Sequence, residues 1–182
     1  MFRPFNPLDP VRVTTANLPH WSQRGATYFV TFRLKDSLPQ GKLRNLRLER
    51  EAWLTAHPPP RTQETKAEYA RDFGERFQAW LDAGTGSCLF ADDLIKQRLL
   101  GTLWHFAGEQ YLLDEHIVAA NHVHVVVQPL DSWKLPDITH AWKSCSARRI
   151  GRGPIWQKES YDHVVRDLAD LQRIREYIRA HS

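Results

Sequence analysis

Hydrophobic residues along this chain recur at two spacings, one typical of strands and the other typical of helices. Residues 26–34 (ATYFVTFRL) are dense in aromatic and β-branched side chains, which favours a strand. Two further strands are predicted at 111–119 and 122–128, close enough to form a hairpin, and Asn121 suits the turn because asparagine tolerates positive φ. Shorter extended segments are expected at 155–157 and 162–165, and an irregular, proline-rich lead-in is expected at 1–20.

Apolar side chains at helical spacing alternate with these strands. The pattern predicts helices at 43–56, 63–83, 93–107, 136–150 and 168–181. Asp92 or Asp93 can cap the third of them. The order of elements indicates an α+β fold with a mainly antiparallel sheet and helices on one or both faces. The strand at 122–128 is expected to be central, because its alternate valines offer an apolar face.

Composition indicates a globular protein with an anionic partner. The chain of 182 residues is long enough to bury a core, a quarter of it is charged, and its net charge is +4. No apolar run approaches the roughly 20 residues that span a bilayer. The N-terminus lacks the apolar core of a signal peptide, so we expect a cytoplasmic protein.

Two histidines are the first candidates for chemistry. His122 and His124 lie two residues apart in a predicted strand, so their side chains point to the same face. Two imidazoles on one face can bind a single divalent metal such as magnesium or manganese. The alternative is that both are ordinary polar positions on a half-solvated sheet.

A metal site needs a third protein ligand, and a tyrosine stands near one candidate. The candidates for the third ligand are Gln157, Glu159, His163 and His181. Tyr177 and His181 lie four residues apart in a helical pattern, which places them on one helix face. A metal-polarised phosphodiester could be attacked by a tyrosine oxygen, giving a covalent phosphotyrosine.

Basic residues cluster in the second half of the chain. Residues 138–158 contain five basic residues and no acidic residue: Lys143, Arg148, Arg149, Arg152 and Lys158. Such a run can contact nucleic-acid phosphates, or it can form a solvated helix face.

Several of these segments together resemble one family. Residues 121–129 (NHVHVVVQP) resemble the HUH motif of single-strand-DNA transposases, in which a hydrophobic residue separates two histidines. Residues 142–148 look like the basic helix of that family. Segments 155–157, 161–167 and 176–178 are similar to the REP-associated tyrosine transposases, insertion-sequence-type members of the HUH endonuclease family.

The resemblance implies a ferredoxin-like antiparallel sheet in a single domain, 1–182, with a helical elaboration at about 40–92. It implies a divalent metal, Mg or Mn, held by His122, His124 and His181, and a nucleophile at Tyr177. The partner would be single-stranded or hairpin DNA, cleaved and rejoined through a 5′-phosphotyrosine by a monomer or homodimer. The expected DNA-binding residues are Lys143, Arg148, Arg149 and Arg152.

A second tyrosine and two other functions stay open as alternatives. Tyr161 competes as nucleophile, but the residue four positions later is Val165, which cannot bind a metal, whereas Tyr177 is followed by His181. A histidine-dependent phosphoesterase of the histidine-triad type is one alternative function, although Val126 stands where its third histidine belongs. A non-catalytic nucleic-acid-binding module is the other.

Overall fold

The chain divides into two units in the computed structural model, which describes residues 2–15, 19–130 and 132–181. Unit 1 consists of Met1–Lys35 and Leu89–Ser182, and unit 2 of Asp36–Cys88. The expectation of a single domain with an elaboration at about 40–92 stays a prediction.

The strands form two antiparallel sheets. Their bounds are β1 (Arg12–Thr15), β2 (Pro19–Ser22), β3 (Tyr28–Arg33), β4 (Tyr111–Val118), β5 (His122–Pro129) and β6 (Tyr161–Val164). Strands β1 and β2 pair with each other, and the other four form a sheet in the order β4-β5-β3-β6. The predicted hairpin of β4 and β5 is confirmed, and so is the central place of β5.

The expectation of an irregular lead-in at 1–20 was wrong for its second half, which contains β1 and the start of β2. Proline is excluded from central strands but tolerated as the first residue of a strand, which is where Pro19 stands. The N-terminal residues also pair with later parts of unit 1, since Phe5 N donates to Val165 O over 2.7 Å and Thr27 N donates to Arg3 O over 2.7 Å.

Helices follow the predicted periodicity closely. Their bounds are α1 (Gln40–Ala56), α2 (Gln63–Tyr69), α3 (Arg76–Asp82), α4 (Asp93–Trp104), α5 (Leu135–Ile150) and α6 (Leu168–Ala180). Asp92 caps α4 by accepting from Leu94 N and Ile95 N, as one of the two predicted caps. Within the described part of the chain, no helix has the length and apolar character needed to cross a bilayer.

Unit 2 contains α1, α2 and α3. The helix predicted at 63–83 is interrupted by a π-helical segment, Ala70–Glu75, which separates α2 from α3. Tyr69 and Phe73 both contact the ring of Trp53 in α1, with ring centroids 5.0 and 6.2 Å away. This aromatic cluster holds α1 against the interrupted helix.

Both faces of the four-stranded sheet are covered. We call the face that carries Val123, Val125 and Val127 the back face; these valines belong to a core that includes buried residues of α4 and α5. The front face carries Val126, which packs with Leu171 and Ile178 of α6. Since side chains alternate along a strand, His122 and His124 lie on the front face, together with α6.

Candidate active site

Two buried imidazoles meet on the front face. In the register between β3 and β5, His124 lies opposite Thr31 and His122 lies opposite Arg33. His122 is 1% exposed and His124 is fully buried. Their Nε2 atoms lie 3.0 Å apart. The structure therefore brings together the two histidines that the sequence predicts as metal ligands.

The other nitrogen of each ring is held by a polar oxygen. His122 Nδ1 lies 2.8 Å from Asn121 Oδ1, and His124 Nδ1 lies 2.8 Å from Thr31 Oγ1. The amide oxygen of Asn121 can only accept, so His122 Nδ1–H donates and His122 Nε2 keeps its lone pair. The Thr31 hydroxyl can donate or accept, so it stabilises either tautomer of His124. Metal-binding histidines in proteins are oriented by partners of this kind.

Burial keeps His124 neutral. The pKa of His124 falls to about 2, first because the imidazole is buried, and then through its electrostatic interactions with His122 and His181. A neutral imidazole is the form that binds a metal. His124 therefore holds an available ring nitrogen over the whole physiological pH range.

Tyr177 reaches this pair from α6. Its hydroxyl lies 3.3 Å from His124 Nε2. Phe29 packs against both rings, stacked on His124 with centroids 5.4 Å apart and edge-on to Tyr177 at 6.0 Å. These contacts fix the phenol beside the imidazole.

His181 lies next to Tyr177 but at a distance from the histidine pair. Its ring centroid is 4.2 Å from that of Tyr177 and 5.7 Å from that of His124. His181 Nδ1 donates to Tyr177 O over 2.7 Å, which leaves Nε2 as its potential metal ligand. In the part of the chain that the structure describes, His181 does not form a cluster of ligand atoms within 4.8 Å with His122 and His124. The donor set of His122 and His124 fits a divalent metal, and His181 as third ligand stays a prediction.

Two ion pairs hold the flank of α6 that faces β4. A register irregularity in β4, between Leu113 and His116, contains two acidic residues. Arg175 donates to Asp114 Oδ2 from Nε at 2.8 Å and from Nη2 at 2.5 Å, and Arg179 Nε donates to Glu115 Oε1 at 2.9 Å.

These ion pairs and the site lie on opposite flanks of α6. Arg175 and Arg179 are four residues apart, as are Tyr177 and His181, so each pair occupies one line along the helix. Ile178 packs between the two lines, against the front face. The ion pairs therefore limit rotation of α6 about its axis and keep Tyr177 directed at His124.

The N-terminal end of α6 is tied to β6 through Asp170. Its carboxylate accepts from His163 Nε2 at 2.9 Å, from Arg166 N at 3.0 Å and from Arg173 Nη2 at 2.9 Å. Burial alone would raise the pKa of Asp170, but the bonds from Arg166 N and His163 hold it below its ordinary value. His163, one of the candidates for the third ligand, is placed here as a partner of Asp170.

Lys143 of α5 contacts the segment that precedes β6. Its Nζ donates to Gln157 O at 3.1 Å and to Lys158 O at 3.2 Å, so it holds the segment before β6. Its pKa falls to about 8, chiefly through burial and then through the positive charge of Arg33, while Glu159 opposes the shift. Its predicted contact with DNA stays a prediction.

The three arginines predicted to bind DNA lie in another layer. Arg148 and Arg149 are exposed in the last turn of α5, and Arg152 is exposed just after it. Since α5 packs on the back face, the structure does not bring these arginines to the histidine pair. Arg149 Nη1 instead donates to Thr102 Oγ1 of α4 at 3.3 Å.

The competing tyrosine, Tyr161, lies on the same face but two strands away from the histidines. Thr31 pairs with Tyr161 on one side and with His124 on the other, so the three side chains form a row across β6, β3 and β5. Adjacent strands are about 4.8 Å apart, which separates the Cα atoms of Tyr161 and His124 by roughly 10 Å. The Tyr177 hydroxyl lies 3.3 Å from His124 Nε2.

Sequence reasoning missed the residues that orient the site. Asn121 was interpreted as a turn residue only, although its position directly before His122 was a signal that it could hold the ring. Alternation along β3 puts Thr31 and Phe29 on one face of their strand, but nothing local connects Thr31 to a histidine 93 residues away.

Comparison with known proteins identifies a solved structure with the same fold. No protein-family model matches the sequence, and no curated protein matches it significantly. Among solved structures, a REP-associated tyrosine transposase bound to a REP hairpin is similar with a TM-score of 0.50 and 13% identity, over 90% of this chain and 70% of that one. The chain shares the fold of that protein. A candidate transposase from Deinococcus radiodurans R1 is similar with a TM-score of 0.40 and 14% identity, over 92% of this chain and 96% of that one.

Proposed function

We propose that this protein is a metal-dependent single-stranded DNA transposase and endonuclease that cleaves and rejoins DNA through a 5′-phosphotyrosine at Tyr177. The observation that carries the proposal is the Tyr177 hydroxyl, 3.3 Å from the Nε2 atom of a neutral His124 that faces His122 Nε2. A phenol beside two converging metal ligands suits phosphoryl transfer, because the tyrosine needs an activated phosphodiester.

Both transfers conserve atoms and charge. In cleavage, the Tyr177 oxygen bonds to phosphorus and the bond from phosphorus to the 3′ oxygen breaks. The phenol loses its proton, and the leaving 3′ oxygen gains one. In rejoining, a 3′ hydroxyl attacks the phosphotyrosine and Tyr177 regains its proton. A divalent metal bound by His122 and His124, with His181 as third ligand, would polarise the scissile phosphate and stabilise its developing charge. Asn121 and Thr31 would keep both rings oriented throughout.

The DNA partner is proposed to be single-stranded or to contain a hairpin. The similar REP-associated transposase is bound to a REP hairpin. In this chain, Arg148, Arg149 and Arg152 are exposed and could contact phosphates, but they lie on the back layer. We expect them to bind a part of the DNA away from the scissile phosphate, with the protein acting as a monomer or homodimer.

A covalent adduct is the decisive test. The protein is incubated with Mn²⁺ and a single-stranded hairpin DNA labelled at its 3′ end, then run on a denaturing gel. We expect a slowly migrating protein–DNA band that Tyr177→Phe abolishes and the matched control Tyr161→Phe retains. Chelation of the metal should abolish it too. Peptide mapping of the adduct should recover the segment of α6.

Other outcomes would contradict the proposal in different ways. An adduct at Tyr161 would move the nucleophile and spare the reaction type. Release of a free 5′-phosphate without an adduct would indicate a hydrolytic nuclease. Tight DNA binding without cleavage under any metal condition would favour a non-catalytic binding module.

A further inference from the structure

A cavity of about 510 Å³ opens beside His181 in unit 1. It lies where three elements meet: the turn Leu89–Ala91, the first turns of α4, and the end of the β4–β5 hairpin. Ligand-binding cavities in proteins typically measure 300–1,000 Å³, so this one has room for a nucleotide-sized group. Apart from His181, the chemistry described above uses none of the residues that line it.

The cavity continues from the catalytic face. Ile117, which lines it, pairs with His124 in the register of β4 and β5, so it is the neighbour of His124 on the front face. His181, which also lines it, packs on Tyr177. A DNA strand with its scissile phosphate at Tyr177 would therefore have a neighbouring nucleotide at the mouth of this cavity.

The rim of the cavity is tied to the backbone of the site. Ala119 N donates to His122 O at 3.0 Å, and Phe90 N donates to Ala120 O at 3.0 Å. Alanines at 91, 119 and 120 line the cavity with small side chains. The space is therefore preformed beside the histidine strand, and a larger side chain at one of these positions would occupy it.

The polar groups of the cavity match a nucleobase better than a bare phosphate. Asp93 and Lys96 lie three residues apart on α4, so their side chains are neighbours on one helix face. A carboxylate accepts from the amino and imino groups of a base, and an ammonium group donates to its oxygens or ring nitrogens. A bare phosphate would be repelled by Asp93, whereas Ile117 and the alanines at 91, 119 and 120 give apolar surface for the face of a base.

We propose that this cavity binds one unpaired nucleobase next to the scissile phosphate, and that Asp93 and Lys96 determine which base is accepted. The inference rests on the proposed function for the position of the strand. Recognition of a splayed-out base by an apolar wall and a few polar groups is the usual way in which proteins distinguish single-stranded sequences.

The test is a binding selection that requires no cleavage. A Tyr177→Phe protein is equilibrated with DNA hairpins that carry a randomised single-stranded flank of eight nucleotides, and the bound DNA is sequenced. We expect one flank position with a clear base preference. Lys96→Met and Asp93→Asn should each change the preferred base at that position, and Ala120→Leu should erase the preference. Lys134→Met, an exposed lysine outside the cavity, is the matched control and should leave it unchanged.

An abasic substitution then measures the contribution of the base. Placed at the preferred position, it should weaken binding of the Tyr177→Phe protein by about 5- to 100-fold, the range typical of one stacked base. The Ala120→Leu protein should show less than a twofold loss. Melting temperatures show whether each variant is folded. If the Ala120→Leu protein does not fold, Asp93→Asn still tests the role of the cavity.

Failure of this inference and failure of the proposed function give different results. If the adduct forms but Asp93→Asn and Lys96→Met leave every base preference unchanged, the cavity does not read a base. If no adduct forms but these two variants change one position, base recognition stands and the transposase chemistry falls.

Discussion

Acid should destabilise unit 1 through His124, and the size of the effect follows from the burial of its ring. The pKa of His124 is about 2 in the folded protein and 6.5 in an unfolded chain. Between these values the unfolded chain binds a proton that the folded protein does not, so stability is complete above pH 6.5 and is lost as the pH falls. Each pH unit costs up to about 1.4 kcal/mol, so a fall from pH 6.5 to 4.5 costs on the order of 2–3 kcal/mol.

The measurement is urea unfolding of wild type and His124→Gln between pH 7 and 4.5, with a chelator present. Every protein in this measurement also carries Trp53→Phe and Trp80→Phe. The remaining tryptophans then all lie in unit 1, so their fluorescence reports the unfolding of that unit. We expect the free energy of unfolding to fall more steeply with decreasing pH in wild type than in His124→Gln. The difference between the two slopes should correspond to the uptake of nearly one proton on unfolding. His140→Gln, which removes an exposed histidine, is the matched control.

Equal slopes in wild type and His124→Gln would refute the reasoning. They would mean that the ring accepts a proton in the folded state and is not held neutral by burial. Asp170 does not confuse this comparison, because its pKa is lowered from 3.8 and its contribution is lost only at more acidic pH.

Three further predictions concern the supports of the site. Arg175→Met keeps the aliphatic part of the side chain but removes the ion pair with Asp114. It should slow adduct formation at saturating DNA about tenfold or more, while the free energy of unfolding changes by about 1 kcal/mol or less. Exchanging the two charges should restore the rate. Thr31→Val should weaken Mn²⁺ binding about 10- to 100-fold by calorimetry, because His124 Nδ1 loses its partner. Ile178→Ala should destabilise unit 1 by about 2–5 kcal/mol in urea unfolding, since its side chain is 1% exposed.

Much of the local structure could be predicted from the sequence because short-range physics determines it. Alternating side chains placed His122 and His124 on one face of a strand. Helical spacing placed Tyr177 and His181 together on one flank of α6. The cap at Asp92 followed from its side-chain oxygen. In each of these cases the cause lies within a few residues of the effect.

Wrong or incomplete predictions concern segments whose state depends on neighbours. The stretch 1–20 has too many prolines to indicate a strand. Strands β1 and β2 form because each pairs with the backbone of the other. The basic residues of 138–158 are contiguous in sequence, yet Lys143 contacts the segment before β6 while Arg148 is exposed in the last turn of α5.

The tertiary structure alone decided how the site is assembled. Register between β3 and β5 places Thr31 at His124 across 93 residues of sequence, and a one-residue slip would direct every side chain of β5 to the other face. The irregularity in β4 presents Asp114 to Arg175 across 61 residues. Local patterns specify which way a side chain points within its own element, but register and docking depend on the summed packing of both sheet faces, which no local pattern contains.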